Sequence, residues 1–185
     1  MQTFQERYSP FFESVCRMLG NGWRVNYIRS WENRIFLTSP GFKNYSVSVA
    51  AEKGRLRIYG SVDSRICRIE GHGCTVSPER DQYAIAAEIQ RKILGHAPEQ
   101  IEKAALYDQG YKNKQEQEKI VKGMLSRLVS LSWHYNALTA YATSSGIRGS
   151  VGERSGGYDL RVDNLSTDEL IRVVGFISEM KRDKG

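Results

Sequence analysis

The sequence of 185 residues predicts an α+β fold, an antiparallel sheet meander with helices packed on one face. Four short runs rich in β-branched and aromatic residues follow one another between residues 23 and 60, separated by turn residues. In addition, two lobes each end in a strand pattern followed by a capped helix. We therefore expect an amino-terminal α+β lobe at 1–95, a helical connector at 96–135 and a carboxy-terminal ββ(β)α lobe at 136–185, packed as one compact unit.

The amino-terminal lobe begins with a helix and continues with strands. Residues 2–19 carry apolar side chains at three- and four-residue steps, which predicts an amphipathic helix that is interrupted or begun afresh near Pro10. The strands are expected at 23–29, 34–39, 45–51 and 55–60.

Alternation along these strands assigns their side chains to two faces of the sheet, because successive strand residues point in opposite directions. One face is expected to be buried: Trp23, Val25, Tyr27, Tyr45, Val47, Val49, Leu56 and Ile58. The opposite face is then arginine-rich: Arg24, Asn26, Ser46, Ser48, Arg55, Arg57 and Tyr59.

The segment that closes this lobe predicts a second helix after a loop. Ser77 is a good N-cap and Pro78 occupies the position where a helix tolerates proline. Isoleucines then recur at four-residue spacing up to Ile93, and Gly95 suits the end of the helix.

Helical composition continues from residue 98 to 131, as two helices or as one long helix with a projecting polar segment. Gly110 is the expected weak point. The last lobe predicts strands at 138–143, 147–152 and 158–164. Ser166 and Glu169 then form an S-x-x-E capping box for a final helix, whose basic tail at 181–184 we expect to fray.

The formal charge of +6 is concentrated near the amino terminus. Residues 1–74 contain 11 Lys and Arg against 6 Asp and Glu, whereas residues 136–185 contain 7 of each. A local positive field favours an acidic partner, either nucleic acid or an acidic protein surface.

The sequence also predicts the location of the protein and the redox state of its cysteines. No apolar run approaches the ~20 residues that cross a bilayer, and the first residues resemble no secretory signal. We therefore expect a cytoplasmic protein with no membrane partner. The three cysteines form an odd, sparse set that favours reduced thiols over a disulfide framework.

Arg24, Arg55, Arg57 and Tyr59 are the candidate binding residues. Arginines on a sheet face can contact a phosphate backbone, and a tyrosine beside them can stack on a base. The same residues are also compatible with an ordinary solvated face.

Metal and catalytic motifs are weak. Cys67, His72 and Cys74 form C-x4-H-x-C, and a fourth ligand would have to come from Cys16 or His96, a spacing typical of no zinc motif. We therefore expect no metal, no cofactor and no catalytic residue. The glycines between residues 146 and 157 separate two strand patterns, as hairpin turns do.

Two alternatives remain open from the residues alone. One is a small enzyme that uses His134 or acidic groups of the last lobe, such as Asp159 and Asp163, although arginines accompany these acids. The other is an interaction protein that acts through the helical region 98–131. The oligomeric state is open.

Three segments carry one resemblance: LGNGW at 19–23, LRIYG at 56–60, and TVSPERDQYAIAAEIQRKILG at 75–95, with Arg80 near the helix start. Over the first two thirds of the chain, this layout resembles uncharacterised small proteins carried by bacteriophages and plasmids. The resemblance implies an accessory protein of a mobile genetic element, a class that includes inhibitors of host defence. The expected function is thus non-enzymatic binding of nucleic acid or of a host nucleic-acid-handling or defence complex.

Overall fold

The computed structural model describes residues 2–180 and has the α+β fold that the sequence predicts. Its helices are α1 (Phe4–Leu19), α2 (Gln82–Lys92), α3 (Ala97–Leu125) and α4 (Thr167–Glu179), and a 3-10 turn at Leu94–His96 joins α2 to α3. The strands are β1 (Arg24–Val25), β2 (Arg34–Thr38), β3 (Tyr45–Glu52), β4 (Arg55–Val62), β5 (His72–Val76), β6 (Ser130–Ser132), β7 (Thr139–Ala142), β8 (Arg148–Arg154) and β9 (Gly157–Asp163).

The chain divides into two compact units, Met1–Lys112 and Asn113–Gly185, and the division falls within α3. The first unit contains a five-stranded sheet in the order β1-β2-β3-β4-β5, and the second a four-stranded sheet in the order β6-β7-β8-β9. Both sheets are antiparallel meanders. The expected lobe boundaries and the packing of the lobes as one compact unit stay predictions.

The hydrophobic core of the first unit lies on one face of its sheet, where α1 and α2 pack. The strand residues expected in this core are buried, with the exception of Tyr27. These residues are Trp23, Val25, Tyr45, Val47, Val49, Leu56 and Ile58.

The prediction for Tyr27 is wrong because β1 ends at Val25. The Asn26 side chain accepts a hydrogen bond from the Arg29 N–H at 3.1 Å, and this turn stops the strand. Tyr27 is therefore 53% exposed, and its hydroxyl donates to Glu13 Oε1 at 2.6 Å.

Helix α1 runs through Pro10 without interruption, contrary to the sequence prediction. A capping box of Thr3 and Glu6 fixes its start, and residues such as Phe12 and Val15 are fully buried on its apolar side. Proline inside a helix costs about 3 kcal/mol. Burial of this apolar stripe offsets that cost, so the helix persists.

The start of α2 also differs from the prediction. Asp81, and not Ser77, is the N-cap, and its carboxylate accepts from the Tyr83 and Ala84 N–H groups at 2.9 and 3.3 Å. Ser77 instead accepts from the Glu79 N–H in a preceding turn. Gly95 lies in the 3-10 turn, so it separates two helices and does not end the helical segment.

One strand of the first sheet lies where the sequence predicts a loop. Strand β5 pairs with β4, so that Cys74 lies opposite Ile58 and Gly73 opposite Tyr59. Glycine on both sides of His72 hides the strand pattern, and a non-local partner supplies the pairing.

Helix α3 is a single helix of 29 residues that continues through Gly110. It ends at Leu125, so the final part of the expected helical region is wrong: Ser130–Ser132 is strand β6, paired with β7. A three-residue strand is too short to give a sequence signal of its own.

The second unit contains β6–β9 and α4. The capping box of Ser166 and Glu169 is confirmed: Ser166 Oγ accepts from the Glu169 N–H at 3.3 Å, and the Ser166 N–H donates to Glu169 Oε2 at 2.8 Å. The Ser166 N–H and the Ser166 hydroxyl, which donates to the same oxygen at 2.8 Å, lower the pKa of the Glu169 carboxyl. Val151 is the one buried apolar side chain among residues 113–180.

The expected frayed tail at 181–184 lies outside the described residues. Among residues 2–180, no helix combines the length and the apolar composition that a bilayer crossing requires.

Candidate nucleic-acid interface

The outer face of the first sheet, opposite the core, carries the predicted binding residues in cross-strand rows. Arg57 on β4 lies opposite Ala50 on β3, and Ala50 lies opposite Arg34 on β2. In the next row Tyr59 lies opposite Ser48. Directly opposed residues of antiparallel strands point to the same side of a sheet, so the two arginines and the tyrosine share one face.

A shallow cleft of about 360 Å³ lies over these rows. Its lining joins cationic, aromatic and small polar side chains: Arg34, Ser48, Ala50, Ala51, Glu52, Arg57 and Tyr59. Arg34 was not among the residues predicted from the sequence. We call this feature the Arg34–Arg57 cleft.

Arg57 is held by two exposed contacts. Its Nη1 lies 3.2 Å from Glu52 Oε2, and its guanidinium carbon lies 5.9 Å from the centre of the Tyr59 ring. Both partners of the ion pair are about half exposed. Exposed ion pairs contribute roughly 0–1 kcal/mol, so a phosphate can replace Glu52 at little cost.

Tyr59 is fixed by the backbone of the neighbouring chain segment. Its hydroxyl accepts a hydrogen bond from the Gly71 N–H at 2.8 Å. A Cβ atom added to Gly71 or Gly73 would lie 2.6 or 2.9 Å from the ring carbons, so both glycines contact the ring closely. The ring is therefore only partly exposed, which limits how much of it a base could cover.

A more exposed aromatic ring, Trp31, lies beside the cleft and was missed in the sequence. Trp31 is 53% exposed and packs on Phe36 with ring centres 5.3 Å apart. The Arg34 guanidinium carbon lies 5.7 Å from the Trp31 ring centre. Because Phe36 lies opposite Ser48 on the outer face, Trp31 stands on the same side as the cleft.

The end of the outer face near Ser46 is covered. The guanidinium carbon of Arg29 lies 4.7 Å from the centre of the Phe36 ring. Arg29 also forms a two-point ion pair with Asp63, and hydrogen bonds to this carboxylate raise the pKa of Arg29. Ser46, predicted on the outer face, is only 2% exposed. Ser46 thus lies on the predicted face but is inaccessible there, because the Arg29–Asp63 pair covers that end.

A second cleft, of about 560 Å³, adjoins the first at Tyr59. The loop between β4 and β5 lines it and carries the exposed residues Arg65 and Arg68. Ser64 orders this loop: its Oγ accepts from the Ile66 and Cys67 N–H groups at 3.2 Å each. Tyr59 lines both clefts, so arginines flank it on two sides.

The other predicted residues lie farther along the face. Arg55 is exposed at the start of β4, and its Nη2 donates to the Thr75 carbonyl at 3.4 Å. Arg24 lies on edge strand β1 opposite Thr38, four residues along β2 from Arg34. That is about 13 Å along the strand direction. The structure thus brings Arg57 and Tyr59 together in the cleft, places Arg55 beside Arg57 along β4 but outside the cleft lining, and leaves Arg24 apart.

The comparisons give no relative against which to test this arrangement. No protein family, curated protein or solved structure matches the chain.

The C-x4-H-x-C residues do not converge. His72 stacks on His96 with ring centres 4.1 Å apart, and Cys67 Sγ lies 3.4 Å from Ser64 Oγ. Burial raises the pKa of the Cys74 thiol. Within residues 2–180, no three His, Cys, Asp or Glu side chains are grouped as metal ligands.

The groups considered for catalysis lie in the second unit. His134 Nδ1 hydrogen-bonds to the neighbouring Tyr135 carbonyl at 2.7 Å, and the ring lines a cleft with Arg161 and Asp163. Asp163 accepts from Arg161 Nε at 2.8 Å, and Asp159 pairs with Arg154. Both acids therefore have the arginine partners that the sequence suggested.

Proposed function

We propose that the protein binds nucleic acid through the outer face of its first sheet, with the Arg34–Arg57 cleft at the centre. The observation that supports this most directly is the common face of Arg34, Arg57 and Tyr59, with exposed Trp31 beside Arg34. Guanidinium groups contact phosphates, and aromatic rings stack on bases of any sequence.

The form of the surface favours a flexible, extended ligand. Both clefts are shallow and open, and Arg65 and Arg68 extend the positive surface beyond Tyr59. Among the described residues, neither of these two arginines is part of an ion pair. A single strand can follow such a surface and present unstacked bases to Trp31, so we expect single strands to bind more tightly than duplexes.

The biological setting follows the sequence resemblance. We propose a mobile-element accessory protein that acts by binding nucleic acid or a host complex that handles it, with inhibition of host defence as one role within that class. An acidic protein surface would contact the same arginines but has no bases to stack on the exposed Trp31 ring.

A salt series tests the proposal. Fluorescently labelled single-stranded and duplex oligonucleotides are titrated at low and at physiological salt with the wild type and with Arg34→Gln/Arg57→Gln. Each phosphate contact that is lost should lower the slope of log affinity against log salt by about 0.7–0.9. The matched control is Arg17→Gln, on α1 at the opposite side of the sheet.

The expected result is a reduced slope for the double variant and an unchanged slope for Arg17→Gln. Absence of wild-type binding to either polymer at low salt would overturn the proposal. A loss with Arg17→Gln half as large as that of the double variant, in proportion to the charge removed, would show that only overall charge matters, and would also contradict it.

A further inference from the structure

Helix α4 presents an apolar surface that nothing in the described part of the second unit covers. Its sequence is amphipathic and its capping box is complete, yet none of the residues Thr167–Glu179 is buried. Six apolar side chains are 51–68% exposed: Leu170, Ile171, Val174, Phe176, Ile177 and, at the C-terminal end, Met180. A helix of this kind normally gains its stability by packing that stripe against another element.

The strand that precedes α4 has the same property. Tyr158 and Leu160, two residues apart, point to the same face of β9 and are 51% and 65% exposed. Val162, on the same face, is partly buried. Since Val151 is the one buried apolar side chain among residues 113–180, the second unit has an apolar strand face and an apolar helix, but hardly any core.

The exposed area matches what a stable dimer requires. Eight large apolar side chains, each exposing roughly 100 Å² on the scale of such residues, amount to about 800 Å² per chain. An interface of standard size buries about 800 Å² on each partner. A soluble monomer rarely leaves an apolar patch larger than about 300–600 Å².

We propose that the occupant of this surface is a second copy of the chain. In this dimer α4 of each copy packs on the exposed face of the partner's β9, and the exchange is reciprocal. A two-fold interface needs a surface that is complementary to itself. A helix stripe and a strand face on consecutive elements of one chain meet that need.

The charges of α4 argue against a membrane as the occupant. Its polar side carries Asp168, Glu169 and Glu179 against Arg172. Helices that lie on membrane surfaces instead carry mainly Lys and Arg there, because they contact anionic lipids. The same acidic side makes α4 a poor surface for nucleic acid.

The dimer does not depend on the proposed function, but it would increase the affinity for nucleic acid. Two copies present two Arg34–Arg57 clefts to one polymer, so the second contact becomes intramolecular. Association of the chain in the absence of nucleic acid therefore tests the dimer separately from nucleic-acid binding.

The experiment is sedimentation equilibrium of the full chain over a concentration series. The wild type should sediment at twice the chain mass of 21.0 kDa. Val174→Gln/Ile177→Gln removes two side chains from the centre of the apolar stripe. The dissociation constant of the dimer should then rise by about ten-thousandfold or more, since the two-fold interface loses four buried aliphatic side chains and each contributes about tenfold or more.

The matched control is Arg172→Gln/Glu179→Gln, which introduces the same two residues on the polar side of α4. This control should dimerise like the wild type. Because both pairs are exposed in a single chain, both variants should keep their helix content by circular dichroism. A wild type that stays at 21.0 kDa at every concentration would overturn the proposal, and so would a dimer that Val174→Gln/Ile177→Gln leaves unchanged.

Discussion

Arg34 and Arg57 stand on either side of Ala50 in one cross-strand row of β2, β3 and β4. Adjacent strands are about 4.8 Å apart, so the two arginine backbones are separated by about 10 Å. The small Ala50 side chain leaves the space between them open. A charge introduced at position 50 would therefore act on both arginines of the outer face.

Ala50→Glu should abolish most nucleic-acid binding. The new carboxylate would lie between two guanidinium groups, pair with them and repel phosphate, so affinity at low salt should fall at least about tenfold. Ala50→Gln has nearly the same shape without the charge and should bind close to the wild type. Fluorescence anisotropy with a single-stranded oligonucleotide measures both. Equal affinities for the two variants would contradict a role for this row.

Trp31 should contribute base stacking. Trp31→Ala should weaken single-strand binding by about 1–3 kcal/mol, the range found when a stacking aromatic residue is removed. Trp133 is 84% exposed in the second unit and provides the control, since Trp133→Ala should leave the affinity unchanged. Isothermal titration at one salt concentration compares them. A loss with Trp133→Ala of the same size as with Trp31→Ala would count against the first sheet as the site.

Alanine substitutions at two glycines should change the stability of the chain in opposite directions. A Cβ at Gly71 would lie 2.3 Å from the Gly60 carbonyl oxygen, so Gly71→Ala should destabilise the chain by roughly 1–3 kcal/mol. Gly110→Ala should instead stabilise it by about 0.5–1 kcal/mol, because Gly110 lies inside α3 with nothing within 4 Å of the added Cβ. Urea unfolding followed by circular dichroism gives both values. The same sign for the two substitutions would be inconsistent with these contacts.

Tyr45 should make stability fall at high pH. Its hydroxyl is buried with no hydrogen-bond partner among the described residues, and burial raises its pKa from 10.0 to about 12. Between these values the unfolded chain loses the phenolic proton and the folded chain keeps it. The stability present below pH 10 is therefore lost as the pH rises toward 12, by up to about 2–3 kcal/mol.

Tyr45→Phe removes that titration, and it should be neutral or slightly stabilising near pH 8 because no hydrogen bond is lost. The measurement is urea unfolding of both proteins from pH 8 to 12. The difference in unfolding free energy should grow in favour of Tyr45→Phe above pH 10. A difference that is constant over the whole range would refute the assignment to Tyr45.

Much of the fold could be predicted from the sequence because its signals are local. Alternation in RLRIYG places Leu56 and Ile58 in the core and Arg57 outside, and the Ser166–Glu169 capping box marks α4 directly. The predictions that failed concern positions where two residues compete for the same role, or segments whose pairing partner is distant in the sequence. Ser77 and Asp81 are both good N-caps, and β5 is recognisable only by its pairing with β4.

The same distinction between local and long-range signals explains which residues of the candidate site could be predicted. Arg34 precedes Ile35, Phe36 and Leu37, a continuous apolar run with no alternation, so its face becomes known only from the pairing of Arg34 with Ala50. Trp31 lies outside the predicted strands, and its position depends on packing against Phe36. Periodicity could identify Arg55, Arg57 and Tyr59, but not the residues that tertiary contacts add to them.

The contact of Tyr59 with Gly71 and Gly73 also constrains how this sequence can diverge. A side chain at either glycine would displace the ring, and a Cβ at Gly71 would also strike the Gly60 carbonyl. Positions 59, 60, 71 and 73 should therefore covary in any lineage that keeps this hairpin. A tyrosine–glycine pair followed at this distance by G-x-G is a compact signature for recognising distant homologues, even where the surface arginines have been replaced.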